Sequence, residues 1–157
     1  MPISKLQVGL PVPHVLSLKP GDAVAIPLVN GKWAFGRVFR AATLGIFQCL
    51  STFLVPPDKL LGTPIAFHVG FYCMPKQKPD FDWVYLGCVP FESDEEAWPP
   101  PQYSEDVASP GHFHLHYKGK ISPAGDQQIR GLERHVMSSP GSIRKRVSET
   151  STSWPNI

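Results

Sequence analysis

The chain has 157 residues, of which 42% are hydrophobic, 18 are proline and 3 are cysteine, and its formal net charge is +2. This length and apolar content predict one folded domain and exclude wholesale disorder, and the nearly neutral charge argues against a nucleic-acid-binding face. Proline is present at more than twice its usual frequency of roughly 5%, which excludes long helices and favours strands joined by loops.

No apolar run reaches the roughly 18 residues that a membrane span needs. Residues 1–5 carry neither an apolar leader nor a small-residue cleavage site, which predicts a protein that stays in the cytoplasm. The three cysteines, Cys49, Cys73 and Cys88, are far apart and lie in apolar runs. Isolated cysteines in an odd number predict small buried side chains rather than disulfides or a thiolate metal site.

The strongest local signal is a hairpin near the N-terminus. Residues 22–29 predict a strand, Asn30 and Gly31 predict a two-residue type I′ turn, and residues 32–39 predict the return strand. Such a turn pairs Leu28 with Trp33 and divides the side chains between a bulky face and a flat face. The bulky face would hold Val24, Ile26, Leu28, Trp33 and Phe35, and the flat face Ala25, Pro27, Ala34 and Gly36.

Later segments predict further strands and one helix. Four of them, residues 45–54, 65–74, 81–89 and 112–118, are rich in aromatic and β-branched side chains and end at proline, glycine or charged residues, which is typical of strands. Residues 126–137 predict a helix, because the apolar side chains share one stripe. These are Ile129, Leu132, Val136 and Met137.

These elements predict a mainly β fold of the α+β type. We expect a small twisted antiparallel sheet or a partly open barrel with one short C-terminal helix. Residues 1–137 would form a single β-rich domain, and residues 138–157, which are rich in serine and threonine, would form a mobile tail.

Three histidines alternate with apolar residues at positions 112–116. In a strand, His112, His114 and His116 would project from one face, and three imidazoles can bind zinc, copper or nickel. The same alternation is explained by a polar outer face opposite an inner face formed by Phe113, Leu115 and Tyr117. No carboxylate pattern beside the histidines favours a metal, so we expect no cofactor and keep the three histidines as the alternative metal site.

Motifs for catalysis are absent from the sequence. It contains no Gly-x-Ser-x-Gly nucleophile elbow and no glycine-rich phosphate loop. His68 lies in an apolar strand and is expected to be a core or edge histidine. The short basic run Arg144, Lys145 and Arg146 is too small to predict contact with nucleic acid. We therefore predict a binding protein rather than an enzyme.

Acidic residues cluster in a proline-rich region that has no helical or strand periodicity. They are Glu92, Asp94, Glu95, Glu96, Glu105 and Asp106, with Trp98 and Tyr103 interleaved. A solvated loop explains this composition, but acidic charge also speeds association with a basic partner. Aromatic side chains are typical interface anchors. These eight residues are therefore the predicted partner-binding surface.

Four segments carry a resemblance to a known family. Two longer ones are Lys19-Pro-Gly-Asp-Ala-Val-Ala-Ile-Pro-Leu28 and Asn30-Gly-Lys-Trp-Ala-Phe-Gly-Arg-Val38, and two shorter ones are Tyr85-Leu-Gly-Cys-Val-Pro-Phe91 and Trp98-Pro-Pro-Pro-Gln-Tyr103. The chain resembles the immunity protein 26 family of bacteria in these segments. The resemblance extends from Lys19 to about Lys120 and leaves out residues 138–157.

The resemblance implies a β-rich protein of bacteria that also make a polymorphic toxin. Such a protein binds its own toxin and blocks it in the cytoplasm, and the resemblance implies no catalytic residue and names no toxin class.

The alternative function is a small β-barrel module that recognises a peptide or nucleic acid through exposed aromatic residues such as Trp33 and Phe35. The sequence leaves the oligomeric state open.

Overall fold

The computed structural model describes residues 10–11, 18–71 and 82–157. Its strands are β1 (Leu10–Pro11), β2 (Asp22–Pro27), β3 (Trp33–Phe39), β4 (Thr43–Phe47), β5 (Ile65–Phe71), β6 (Val84–Cys88), β7 (Gln102–Glu105), β8 (Phe113–Tyr117), β9 (Lys120–Ala124), β10 (Glu133–Arg134) and β11 (Met137–Ser138). Its helices are α1 (Asp126–Ile129) and α2 (Pro140–Thr150), and 3₁₀ turns occupy Pro57–Leu60 and Ser151–Ser153.

The strands form two open sheets. The larger sheet has the order β1-β6-β2-β3-β4-β5-β11, and the smaller sheet has the order β10-β7-β8-β9. Neighbouring strands are antiparallel except for β5 with β11 and β7 with β10, which are parallel. The predicted class, a β-rich α+β fold with one C-terminal helix, is confirmed. The chain crosses from the smaller sheet to the larger one through His135 and Val136.

The hairpin between β2 and β3 has a different turn from the predicted one. The Gly31 N–H donates to the Leu28 oxygen at 3.1 Å, and the Leu28 N–H donates to the Lys32 oxygen at 2.8 Å. Gly31 has a φ of 81°, whereas Asn30 does not adopt a positive φ. A type I′ turn needs a positive φ at both central residues, so the loop is instead a three-residue loop that ends in a left-handed glycine.

This turn shifts the hairpin register by one residue. Ala25 pairs with Phe35 and Ile26 pairs with Ala34, so a bulky side chain lies opposite a compact one on each face. The predicted division into one bulky and one flat face is wrong. That division depends on the pairing of a two-residue turn, and the three-residue loop changes which side chains share a face. Both faces of this sheet are buried.

Two clusters of buried side chains cover the two faces of the larger sheet. One cluster joins the strands to α2 and the C-terminal segment: Val24, Ile26, Leu28, Ala34, Leu44, Ile46, Leu50, Phe67, Val69, Phe71, Trp83, Ile143, Val147 and Trp154. The other packs against the segment that follows β4: Ala23, Ala25, Phe35, Phe47, Cys49, Leu60, Leu86 and Val89. Phe35 is 0% exposed and is therefore unavailable as the surface aromatic of a peptide- or nucleic-acid-binding module.

The predictions for the C-terminal quarter are wrong in two places. Residues 126–137 form only the single turn of α1 before β10 and β11, because the chain turns at Gly131, which has a φ of 74°. The predicted mobile tail contains α2, which is capped by the Ser139 hydroxyl accepting from the Ser142 N–H. Ile143 and Val147 of α2 are both 0% exposed, so this helix belongs to the core.

The other predicted strands are present: β5, β6 and β8 have shorter bounds, and β4 begins at Thr43, before the predicted start, and ends earlier, at Phe47. The predicted ends at residues 72–74 and 81 lie outside the described residues, as does Cys73. Cys49 is buried as predicted, and burial raises the pKa of its thiol to about 11. Cys88 is exposed, so the prediction of a buried side chain is wrong there. Among the described helices, none combines the length and apolar character needed to cross a bilayer.

Candidate functional site

The acidic residues before β7 form a compact turn, which we call the acidic turn (residues 92–98). The Glu92 N–H donates to Glu96 Oε2 at 2.7 Å, and the Glu96 N–H donates to Ser93 Oγ at 3.3 Å. The turn is attached to the larger sheet, because the Arg40 N–H donates to the Ala97 oxygen at 2.9 Å and Ala97 is 4% exposed. The carboxylates are therefore displayed on a fixed backbone.

Two carboxylates of the acidic turn are paired with cations. Arg40 Nη2 lies 3.5 Å from Asp94 Oδ1, and the Asp94 side chain is 98% exposed. Lys118 Nζ pairs with Glu95 Oε1, and this hydrogen bond raises the pKa of Lys118. Exposed ion pairs of this kind contribute little to stability. They leave Asp94 and Glu95 at the surface, where a partner's cations can replace the present ones.

A cavity of about 420 Å³ opens beside the acidic turn. We call it the acid-rimmed pocket, because Glu96 and Trp98 of the turn belong to its wall. The remaining lining residues are Arg37, Phe39, Phe47, Leu60, Leu61, Gly62, Thr63, Ile65, His68, Val89, Phe91 and Pro100. Phe39 and Phe91 meet edge to face with centroids 5.0 Å apart, whereas Leu61 is 56% exposed. The pocket thus has an aromatic wall and an acidic margin.

Arg37 is the cation of this pocket. It is 8% exposed, its Nε donates to the Val89 oxygen at 2.9 Å, and its Nη2 donates to the Pro90 oxygen. Its guanidinium carbon lies 3.6 Å from the Phe91 ring centroid. Burial lowers the pKa of Arg37, and the charge of Glu96 acts in the opposite direction. No ion pair of the described residues includes Arg37, so the pocket retains a positive charge at its wall.

The structure separates the predicted binding residues into two groups. Glu92, Asp94, Glu95, Glu96 and Trp98 lie together in the acidic turn, where Glu95 reaches Lys118 just after β8.

The second group lies at the other end of β8. Glu105 pairs with Phe113 at the start of that strand, and its Oε2 accepts from the Gly111 N–H at 3.2 Å. Asp106 Oδ1 accepts from the Ala108 N–H. Tyr103 packs on the Phe113 ring at 6.2 Å. These side chains organise the β7–β8 connection and do not line the acid-rimmed pocket.

The three alternating histidines do not share one environment. His112 precedes β8 and is exposed, with its Nδ1 3.2 Å from the Ser109 oxygen. His116 is half-buried and faces the larger sheet, and Tyr117 is 39% exposed. The predicted outer face of histidines is therefore wrong at His116. Among the described residues, no group of three or more His, Cys, Asp or Glu side chains is arranged to hold a metal ion.

His68 has a structural role between the two sheets. Its backbone N–H donates to Glu133 Oε1 at 2.9 Å, and its Nδ1 lies 3.3 Å from Glu133 Oε2. Arg146 of α2 lies 3.6 Å from the same carboxylate. Burial would raise the pKa of Glu133, but hydrogen bonds from His68 and the charges of His68 and Arg146 hold it below 4.5. His68, Glu133 and Arg146 therefore join β5, β10 and α2.

A second cavity, of about 230 Å³, lies between the sheets, and we call it the inter-sheet cleft. It is lined by Ala41, Thr43, Pro99, Pro100, Gln102, His116, Tyr117, Lys118, Gly119, Lys120, Ile121, His135 and Met137. The rings of His116 and His135 stack at 4.3 Å with an interplanar angle of 15°. Burial lowers the pKa of both histidines, and the charges of His135 and His114 lower that of His116 further.

One pair of side chains beside the cleft resembles part of a catalytic triad. Ser104 Oγ lies 2.7 Å from His116 Nε2, a distance that suits a nucleophile and its base. A catalytic site also needs a third group that orients the histidine. In the described part of the chain, the only hydrogen bond of the His116 ring is the one to Ser104, and Ser104 does not line the cavity. Among the described residues, the pair therefore lacks the orienting group of a catalytic triad.

Sequence reasoning missed the residues that distant segments bring together. Arg37 and Phe39 lie in a predicted strand and Phe91 lies after another one. Their shared pocket depends on the contact between β3 and the segment after β6. His135 lies in the helix predicted at residues 126–137, and nothing in the local sequence links it to His116. No local signal marks these pairs, because they are formed by sheet pairing over long sequence separations.

No family model, curated protein or solved structure matches the chain.

Proposed function

We propose that the protein is an immunity protein, which binds a protein toxin through the acid-rimmed pocket and blocks it without catalysis. The observation that carries this proposal is the position of the acidic turn at the margin of an aromatic pocket of about 420 Å³. Protein interfaces concentrate their binding energy where a central anchor side chain fills a pocket. Charges around that centre govern the rate and specificity of association.

The lining of the pocket suggests the chemistry of the anchor. Phe91 and Trp98 offer aromatic surface above the buried Phe39 ring, and Leu61 offers an exposed apolar margin. Arg37 forms no ion pair among the described residues, and its guanidinium would repel a lysine or arginine inserted against the Phe91 ring. The anchor of the partner is therefore an aromatic or aliphatic side chain, and the basic residues of the partner surround it and face Asp94 and Glu95.

The rigidity of the site supports tight binding. An interface that is already ordered in the free protein loses less conformational entropy on association. The acidic turn is held by hydrogen bonds within it and to Arg40, and Phe39, Phe47 and Val89 beneath the pocket are at most 7% exposed. The choice of a toxin as the partner rests on the resemblance of residues 19–38 to the immunity protein 26 family.

The first test measures association with the toxic C-terminal domain of the protein encoded immediately upstream. We expect the double variant Asp94→Lys with Glu95→Lys to lower the association rate about tenfold at low salt. The control, Asp126→Lys with Glu149→Lys, makes the same charge change at exposed positions whose side chains make no hydrogen bond or ion pair in the described structure. Equal rates for the two double variants would rule out steering by the acidic turn.

The second test removes the aromatic wall. Trp98→Ala should weaken the complex by about 2 kcal/mol, because the variant loses the surface on which the anchor packs. Tyr103→Ala is the matched control, since Tyr103 is half-buried and lies outside the pocket. If calorimetry gave the same affinity for Trp98→Ala as for the wild type, while Tyr103→Ala weakened binding, the interface would lie on the β7–β8 hairpin instead.

A further inference from the structure

The ionisable groups of the inter-sheet cleft are nearly all bases. Among the described residues, the lining contains His116, Lys118, Lys120 and His135, with Tyr117 as the one other ionisable group, and it contains no carboxylate. Lys118 is already paired with Glu95 from outside the cleft. Lys120 is exposed and takes part in no ion pair of the described residues. The cleft therefore has an uncompensated positive charge at its entrance.

Both imidazoles retain a nitrogen for a ligand. His116 uses Nε2 with Ser104 Oγ, at 2.7 Å, and His135 uses Nδ1 with Gln102 Oε1, at 3.1 Å. Gln102 is 2% exposed and also donates through Nε2 to the His68 oxygen at 3.3 Å, so Gln102 of β7 fixes His135 and links it to β5 of the larger sheet. The second nitrogen of each ring has no partner in the described structure and can donate to an anion when the ring is protonated.

Apolar side chains surround these polar groups. Ile121 is 66% exposed, Tyr117 is 39% exposed and Met137 is 37% exposed, although all three line the cleft. Exposed apolar side chains that adjoin a cavity are typical of a ligand site. The cavity volume of about 230 Å³ is below the roughly 300–1,000 Å³ of pockets for drug-sized ligands, so a ligand would be smaller than these.

We propose that the inter-sheet cleft is a binding site for a small carboxylate with an apolar or aromatic body. The carboxylate accepts from Lys120 and from the free nitrogens of His116 and His135, and the body packs on Ile121, Met137 and the Tyr117 ring. Because an anion favours the protonated imidazole, one proton is taken up with the ligand. The cleft adjoins the acid-rimmed pocket at Pro100. None of the proposed carboxylate contacts lines that pocket, so the carboxylate site does not depend on toxin binding.

The probe for the carboxylate is phenylacetate, and the neutral probe of the same shape is phenylacetamide. We expect calorimetry at pH 6.5 to show at least tenfold tighter binding of phenylacetate, and the difference to shrink at pH 8. The number of protons taken up is measured by repeating the titration in buffers of different ionisation enthalpy. Equal affinity for the two probes, or no binding of either at millimolar concentration, would overturn the proposal.

A second measurement uses the wild-type protein and does not depend on a variant that folds. The imidazole proton resonances of His116 and His135 should shift when phenylacetate is added, and those of His112 should not, because His112 lies outside the cleft. Shifts confined to other histidines would contradict the site. Lys120→Ala should weaken phenylacetate binding about fivefold, whereas Lys145→Ala, on the exposed side of α2, should leave it unchanged.

A carboxylate attached to an apolar or aromatic body occurs both in free metabolites and at the C-terminus of a peptide. A dipeptide that ends in phenylalanine distinguishes them when it is compared in its free-acid and amidated forms. Binding of the free-acid peptide as tightly as phenylacetate would identify a peptide C-terminus as the ligand source. Binding of phenylacetate alone would identify a small molecule, and both results support the carboxylate site. The absence of binding by every carboxylate would contradict it.

Discussion

The two sheets of this protein differ in how much of their surface they bury. In the larger sheet, residues 22–26 of β2 and all of β4 are buried, and side chains from both faces belong to apolar clusters. In the smaller sheet, β8 is half-buried and most of β9 is exposed. The larger sheet therefore carries the stability of the fold. The smaller one supplies polar groups that remain accessible at the cleft.

The two cavities follow this division. The acid-rimmed pocket lies over the larger sheet and has a buried aromatic floor, and the acidic turn is fixed at its margin. The inter-sheet cleft lies where the sheets meet, and its polar lining includes His116, His135 and Gln102. Lys118 lines the cleft and pairs with Glu95 of the acidic turn, so the two sites share one ion pair.

The largest expected difference between the sheets is in the response to core truncation. Phe35→Ala should lower the free energy of unfolding by about 3–5 kcal/mol, because Phe35 is 0% exposed in the larger sheet. Phe113→Ala, at a half-buried position of the smaller sheet, should cost about 1 kcal/mol. Urea denaturation measures both. Equal losses would show that the two sheets contribute equally to stability.

Truncation of a buried side chain in the C-terminal helix α2 should destabilise the protein about as much as truncation in the larger sheet. Ile143→Ala should lower the free energy of unfolding by about 3 kcal/mol, since Ile143 is 0% exposed within the same cluster as Ile26. The control Lys145→Ala lies on the exposed side of α2 and should change it by less than about 0.5 kcal/mol. If Ile143→Ala were as harmless as Lys145→Ala, the segment would be the mobile tail that its composition suggests.

A smaller effect concerns the join between the sheets. The pKa of Glu133 is held below 4.5 in the folded state, so the stability that it contributes is present above pH 4.5 and is lost as pH falls through the folded value. Glu133→Gln should be less stable than the wild type at pH 7, and the difference should shrink below pH 4.5. Thermal unfolding across pH 3–7 measures it. A difference that is constant with pH would mean that the carboxylate charge has no role.

The sequence predicts the fold class well because strand signals are local. The aromatic and β-branched composition of β4, β5, β6 and β8, and the prolines, glycines or charged residues that bound them, are visible in a few residues. The hairpin register was not predictable from the Asn30–Gly31 signal, since the choice between a two-residue and a three-residue loop depends on packing on both faces of the sheet. Helix α2 was missed because its buried residues are few, namely Pro140, Ile143 and Val147, and the serine-rich composition conceals the apolar stripe.

The part of the candidate site that is contiguous in the sequence was predictable, because its signal is local. The cluster Glu92 to Trp98 is contiguous in the sequence and folds as one turn, so composition alone located it. Glu105 and Asp106 follow closely in sequence, but β7 carries them to the opposite end of β8. Arg37 and Phe91 reach the pocket from segments that only the tertiary fold brings together. Such pairs give no signal in a single sequence.

The central claim, that the acid-rimmed pocket binds a protein toxin, is tested most directly by amide hydrogen exchange on the complex with the upstream-encoded toxic domain. We expect protection on binding to concentrate in residues 91–98 and 60–63, around the pocket, with rescue of growth when the two proteins are co-expressed. Protection confined to the hairpin loop at residues 29–31 or to β9, in a complex that still rescues growth, would contradict the assignment of this pocket as the toxin-binding surface.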